Sequence, residues 1–213
     1  MSNKDCEKAG RGRFIVFEGI DGSGKSSQMR ELAKRLTKSG KKVITTAEPT
    51  GSAIGVFIRS VLGGEIRKTE EELAALFALD RIYHNKEIEK YLGEGIDVLC
   101  DRYYYSSLAY QGSETDIERI KKLNLDRSDI RVPDICIFVD VSTEVALQRI
   151  LGRGNRIEIY ETAEKLDRVR KRFFEVFEMM KTEGRKDAVC IVDNSGSFGV
   201  AAEQVFQSVE KIR

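Results

Sequence analysis

The residues with the clearest chemistry lie near the start of the chain. Gly19, Ile20, Asp21, Gly22, Ser23, Gly24, Lys25 and Ser26 spell GxxxxGK[ST], and Ser27 follows. At this spacing glycines let backbone N–H groups wrap a polyphosphate, the lysine reaches the β and γ oxygens, and the serine hydroxyl can ligate Mg²⁺. A helix N-terminus under the loop favours the negative charge. The spacing carries meaning only between a strand and a helix, so the flanks decide it. Phe14–Phe17 is a short apolar run of strand type. Met29, Leu32, Ala33 and Leu36 then fall at i, i+3, i+4 and i+7, one face of a helix. Both flanks are those the motif requires, which a glycine-rich turn with a chance Lys-Ser would not need.

The rest of the chain must position this loop. Gly40 closes the first helix, and the β-branched run Val43–Thr46 predicts a second strand. Ile54, Phe57, Ile58, Val61 and Leu62 form a helical face. Thr69 with Glu72 has the pattern of a capping box opening a helix over about 70–92. Ile96–Cys100 reads as a strand ending at Asp101, and Ile135–Val139 as another. A helix over 143–151, a Gly/Arg segment and a charged helix over about 161–183 come next. Ala188–Val192 is the last strand, and Phe198, Ala201, Ala202, Val205, Phe206 and Val209 make the last helical stripe. Strands alternating with helices predict βαβ units. The expected fold is a P-loop NTPase, three-layer α/β/α, with a five-stranded parallel sheet and a short lid near 149–160. Residues 1–12 read as a flexible lead-in and 13–213 as one domain.

Composition sets the limits. The chain has 213 residues, enough for one sizeable core. Hydrophobic residues make up 41% and charged residues 33%, with two prolines, which excludes disordered, collagen-like and proline-rich classes. The net charge of +1 supports neither a broad nucleic-acid footprint nor a membrane footprint, and neither partner is expected. Cys6, Cys100, Cys136 and Cys190 are too dispersed for a zinc site or a disulfide framework. The last three lie in or beside apolar runs and are expected to be buried free thiols. With no leader-like stretch and no window of about 18 apolar residues, a soluble, cytoplasmic protein is expected.

A phosphate loop serves several classes: small-molecule kinases, GTPase switches and ATP-driven partition or transport modules. A GTPase needs a guanine-reading NKxD, but Asn85-Lys86 is followed by Glu87 and Ile88 inside the long predicted helix. Larger ATPases usually place an acidic pair after a strand. Here the strand ends Cys100, Asp101, Arg102, an acid followed by a cation, which suits a second anion beside a metal.

Asp101-Arg102-Tyr103, the residues that follow as far as Gln111, the stretch FEGIDGSGKSSQ at 17–28, Glu48-Pro49-Thr50-Gly51 and the NRIE of 155–158 carry a resemblance to thymidylate kinases. The resemblance runs from about Phe14 to the C-terminus. Deoxynucleoside kinases, the nearest lookalikes, tend to carry an ERS-type sequence where this chain has DRY. The resemblance implies transfer of a phosphoryl group from ATP to dTMP, giving dTDP, with Mg²⁺ as cofactor and a homodimer as assembly. The alternatives are a kinase for another nucleoside monophosphate and a non-catalytic nucleotide-binding module.

It also implies roles. Residues 19–27 and Arg149 would hold ATP, the arginine on adenine. Ser26 and Asp101 would serve the metal. Phe77, on one helix face with Arg81, would stack on thymine while Arg81 reads a base carbonyl. Both also admit plainer readings, Phe77 as core and Arg81 as a solvated face. Arg102 would bind the acceptor phosphate, with Asp21, Glu48, Ser106, Tyr110 and Gln111 completing the acceptor site. Lys25, Asp21, Arg102, Arg156 and Arg153 form the catalytic set, Arg156 as transition-state arginine. Glu158 and Tyr160 are further nucleotide contacts. Gly22 stands where some relatives carry an arginine, so positive charge is expected from the lid. Many bacterial members read REPGG where this chain reads Ala47-Glu48-Pro49-Thr50-Gly51, and Arg59 is a candidate substitute for the missing arginine. His84 is expected to be exposed. Alternate members of Tyr103, Tyr104 and Tyr105 are expected to pack in the core.

Overall fold

The computed structural model describes residues 10–113, 116–152, 162–185 and 187–212. Most of the expected lead-in with Cys6, and Arg153, Arg156, Glu158 and Tyr160 of the expected lid, lie outside the described residues. Five strands, β1 (Phe14–Glu18), β2 (Val43–Ala47), β3 (Asp97–Asp101), β4 (Ile135–Asp140) and β5 (Val189–Asp193), form one parallel sheet in the order β2-β3-β1-β4-β5. The helices are α1 (Lys25–Lys38), α2 (Ala53–Leu62), α3 (Glu70–Gly93), α4 (Tyr104–Tyr110), α5 (Ile117–Asn124), α6 (Thr143–Leu151), α7 (Ala163–Thr182) and α8 (Phe198–Glu210), with a 3₁₀ turn at Gln111–Ser113.

Successive strand side chains point to opposite faces, so each central strand feeds two cores. Phe14, Val16, Val98, Cys100, Cys136 and Phe138 pack with α3, α4 and α7, where Phe138 lies 5.0 Å from Phe173. Ile15, Phe17, Leu99, Ile137 and Val139 pack under α1 and α8. Helix, sheet and helix layers result, as the alternation of elements predicts. The expected capping box is present: Thr69 Oγ1 accepts from the Glu72 N–H at 3.2 Å, and Glu72 Oε2 accepts from the Thr69 N–H at 2.9 Å.

Three short elements escaped the sequence reading: α4, the 3₁₀ turn and α5. The tyrosine run is the clearest correction. The three tyrosines begin a helix instead of extending a strand, so they do not alternate, and all three are buried. Tyr103 meets Phe14 edge-on at 5.1 Å, and its hydroxyl donates to Asn85 Oδ1 at 2.8 Å. The hydroxyls of Tyr104 and Tyr105 both donate to Asp187. Cys100 and Cys136 are buried free thiols as expected, whereas Cys190, on edge strand β5, is half-buried. The C-terminal ends of all five strands lie along one edge of the sheet. They deliver the 19–26 loop, Glu48, Arg102, Asp140 and Asn194 to it, where open parallel sheets bind ligands.

Candidate active site

The glycines of the loop between β1 and α1 hold backbone conformations closed to larger residues. Gly22 (φ 78°) and Gly24 (φ 96°) are left-handed. A Cβ on Gly22 would stand 2.4 Å from the Ala146 carbonyl oxygen, and one on Gly24 2.5 Å from Asn194 Nδ2. Lys25 is buried, and Nζ donates to the Gly19 and Ile20 carbonyls, each at 2.9 Å. Burial, then the charge of Arg102, lowers its pKa from the usual lysine range. Ser26 Oγ donates to Asp101 Oδ2 at 2.7 Å. The Ser23 carbonyl is held from outside the loop by Asn194 Nδ2 at 2.7 Å and Arg149 Nη1 at 3.2 Å, while Arg149 Nη2 donates to the Asn194 carbonyl at 2.8 Å. Arg149 therefore stands beside the loop. Ser27 follows in the first turn of α1.

Arg102 joins this loop to the turn after β3. Its φ of 70° is one that residues other than glycine rarely adopt. Its guanidinium pairs with Asp21, donates to Ser106 Oγ at 3.0 Å and lies 5.2 Å from the centre of the Tyr110 ring. The Tyr110 hydroxyl donates to Asp21 Oδ2 at 3.4 Å. Burial alone would raise the Asp21 pKa, but the charges of Arg102 and Lys25 outweigh it and hold the carboxyl below its usual range. Burial acts on Arg102 in the opposite sense to Asp21, and Asp21 prevails, so the arginine stays charged.

Two cavities open on this junction. One, of about 240 Å³, is walled by Phe77, Arg81, Ser106, Tyr110, Gln111 and Leu62 among others. The second, of about 650 Å³, is lined by Gly22, Gly24, Lys25, Ser26 and Arg30 among others. Asp21, Glu48, Pro49, Arg59 and Arg102 line both. Of the residues named for the acceptor, Phe77, Arg81, Ser106, Tyr110 and Gln111 line only the smaller cavity, while Gly22, Gly24, Lys25, Ser26 and Ser27 of the loop line only the larger. Phe77 is half-buried: it packs against the cluster of Ile58, Val61 and Leu73 and also lines the smaller cavity.

Arg81 is 1% exposed, not a solvated side chain. Its Nε and Nη2 meet Glu48 Oε2 at 2.8 and 2.7 Å, and Nη1 donates to Asn124 Oδ1. The other Glu48 oxygen meets His84 Nδ1 at 3.0 Å, and His84 Nε2 meets Thr46 Oγ1 at 2.8 Å. The expectation of an exposed histidine is therefore corrected: His84 is 5% exposed and braces the acid that braces Arg81. Asp80 holds the loop above by accepting from Thr50 N–H at 2.7 Å, Thr50 Oγ1 at 2.6 Å and Ser52 Oγ at 2.8 Å. Arg59 caps the same loop through the Thr50 and Pro49 carbonyls, at 2.8 and 2.6 Å, and its place on both cavities suits a basic contact there.

A profile of the thymidylate kinase family matches residues 17–204. The chain belongs to this family. It is 41% identical over 201 residues to a protein of Methanococcus aeolicus named "Probable thymidylate kinase", covering 93% of this chain and 97% of that one. It is 36% identical over 183 residues to the thymidylate kinase of Leptospira interrogans, covering 84% and 89%. The family is the one whose markers the sequence carries.

The residues that hold the site from behind were given no site role by the resemblance, although Glu18 lies inside the 17–28 stretch that carries it. Glu18, Asp80, His84, Asn124 and Asn194 are all buried. Only Glu18 left a visible signal, an acid ending an otherwise apolar strand. Among the described residues no cluster of His, Cys, Asp or Glu could hold a metal ion by itself. The Ser26 hydroxyl and Asp101 carboxylate offer two hard oxygen donors. That set fits a Mg²⁺ ion held mainly by nucleotide phosphates and water.

Proposed function

We propose that the larger cavity takes the ATP phosphates and the smaller one dTMP, so that the enzyme transfers the γ-phosphoryl group of ATP to dTMP, giving ADP and dTDP. The observation that carries this reading is the shared wall: Asp21 and Arg102 line both cavities at the mouth of the phosphate loop. The acceptor phosphate is already a nucleophile, so no strong general base is required. The protein's work is alignment and charge neutralisation. Backbone N–H groups of residues 19–26 and Lys25 hold the donor phosphates. Arg102 holds the acceptor phosphate, with Asp21 fixing its guanidinium. Phe77 stacks on the base, Arg81 donates to it, and Ser106, Tyr110 and Gln111 surround the nucleoside. Ser26 and Asp101 would hold Mg²⁺, which when bound neutralises phosphate charge. Arg149 lies on the adenine, and Arg153 and Arg156 bring positive charge to the transferring phosphoryl group.

Residues 13–213 act as one domain in this account. Exposed Val56 and Phe57 of α2 and Leu79 and Tyr83 of α3 support a homodimer through that face. Among the described residues no helix is long and apolar enough to cross a membrane, in keeping with a cytoplasmic enzyme. ADP release on adding each of a panel of nucleoside monophosphates tests the proposal. dTMP should give the highest kcat/KM, and a preference for dAMP or dGMP would overturn it.

A further inference from the structure

Glu18 ends β1, has no solvent exposure and is among the described residues that line neither cavity. Both carboxylate oxygens nevertheless accept hydrogen bonds, from groups at the start of α4. Oε1 accepts from the N–H groups of Tyr103 at 2.8 Å and Ser106 at 3.1 Å. Oε2 accepts from Ser106 Oγ at 2.7 Å. The N-cap residue of α4, Tyr103, supplies no side-chain cap of its own. Glu18 supplies one from the neighbouring strand, meeting the Tyr103 N–H and sharing the Ser106 N–H with the Tyr103 carbonyl.

The same contacts reach Arg102. Ser106 Oγ donates to Glu18 and accepts from Arg102 Nη1 at 3.0 Å, so one hydroxyl joins the buried carboxylate to the guanidinium. The main chain of Arg102 is held on both sides. Its own N–H donates to the Phe17 carbonyl at 2.9 Å, and the next N–H, of Tyr103, donates to Glu18. A left-handed non-glycine residue persists only where its surroundings determine it, and these bonds are such surroundings. A neutral cap would satisfy the helix. A carboxylate adds an acceptor strong enough to orient the Ser106 hydroxyl, which leaves that oxygen's lone pairs for Arg102.

We propose that Glu18 is a positioning residue for phosphoryl transfer: through Ser106 Oγ and the Tyr103 N–H it holds Arg102 in the left-handed turn that places its guanidinium where the two cavities meet. The inference rests on the phosphoryl-transfer reading above. Burial pushes the Glu18 carboxyl up to about 7, against the pull of Arg102, the Ser106 and Tyr103 hydrogen bonds, and Lys25 of α1. Cys100 of β3, Cys136 of β4 and Tyr110 of α4 also face it, and burial keeps all three neutral at that pH. A proton on Oε2 ends its role as acceptor for Ser106, so this part of the alignment weakens on the acid side of 7.

The test is steady-state kinetics from pH 6 to 8.5 on the unmutated enzyme, Glu18→Gln, Ser106→Ala and the double variant, with thermal melting of each. Glu18→Gln keeps an oxygen for the two N–H groups and turns the end facing Ser106 from acceptor to donor. It should lower kcat about 10- to 100-fold, the scale of a misplaced catalytic group. The ATP KM should stay within about twofold, and melting should shift by no more than about 3 °C. The acid-side fall that the unmutated enzyme shows beyond Glu18→Gln should vanish, since ionisation of dTMP and ATP is common to both. The double variant should be no slower than Ser106→Ala. A Glu18→Gln enzyme with unmutated kcat and pH profile would overturn the proposal. So would single effects that multiply in the double variant, or both KM values rising together with a lowered melting temperature. Failure of the underlying reading is separable, because the unmutated protein would then show no dTMP-dependent turnover.

Discussion

Arg81→Ala should damage stability and base recognition together, and a second variant can separate the two. Arg81 and Glu48 expose 1% and 2% of their side chains and meet at 2.7 Å. Removing the arginine leaves a buried carboxylate with His84 as its remaining side-chain partner. Breaking a buried pair from one side costs about 3–5 kcal/mol, a large share of the about 5–15 kcal/mol that holds a domain folded. At about 2–4 °C per kcal/mol for a chain of this size, melting should fall by about 6–20 °C. Replacing both partners with apolar residues, Arg81→Met with Glu48→Leu, removes both charges and should return most of that loss. It should not return dTMP recognition. An unmet polar group on the base costs about 1–3 kcal/mol, or about 5- to 160-fold in kcat/KM for dTMP. The ATP KM should barely move. The assays are urea and thermal unfolding by circular dichroism, and kinetics with each substrate varied in turn. Arg81→Ala melting within a degree or two of the unmutated protein would refute the stability argument. A charge-free pair with a normal dTMP KM would refute the role in base reading.

Lys25→Ala should fold normally and lose nearly all turnover, since a fixed cation beside the transferring phosphoryl group is removed; purified variant with near-normal kcat would count against that lysine. Arg156→Ala should lower kcat by up to about 10³-fold with little change in the dTMP KM, softened if Arg153 shares the work, and a double variant with normal kcat would exclude lid-supplied charge. Asn194→Ala strips a hydrogen bond from the Ser23 carbonyl and leaves Gln28 Nε2 without its 2.8 Å acceptor. It should raise the ATP KM while leaving that for dTMP alone, and the opposite pattern in substrate-varied kinetics would show that Asn194 serves the acceptor instead.

What could be read from the sequence was local. The strand, loop and helix around Lys25 follow from adjacent residues, and α3 begins as read because its capping box spans only Thr69 to Glu72. The short helix α4 was missed because the group that caps it, Glu18, lies 85 residues away from Tyr103. His84 was misplaced for a related reason. Its neighbours Asp80, Arg81 and Asn85 are polar yet buried, so α3 presents to the core a polar face that hydrophobic periodicity does not register. Phe77, Arg81 and Arg102 were named through family resemblance, as were Glu48, Asp21 and Ser106 that hold the two arginines, whereas Glu18, His84 and Asn124 behind them were given no site role. Asn124 and Asn194 reach the site from elements distant in sequence, and neither carries a local pattern.

The central claim is that the two adjoining cavities bring the γ-phosphoryl group of ATP to the phosphate of dTMP. Following the label from γ-³²P-ATP, with and without dTMP, tests it most directly. The account predicts that label moves into dTDP when dTMP is present and that little reaches inorganic phosphate when it is absent, because water is excluded from the closed site. Label released as inorganic phosphate at the same rate with or without dTMP, and none in dTDP, would contradict it.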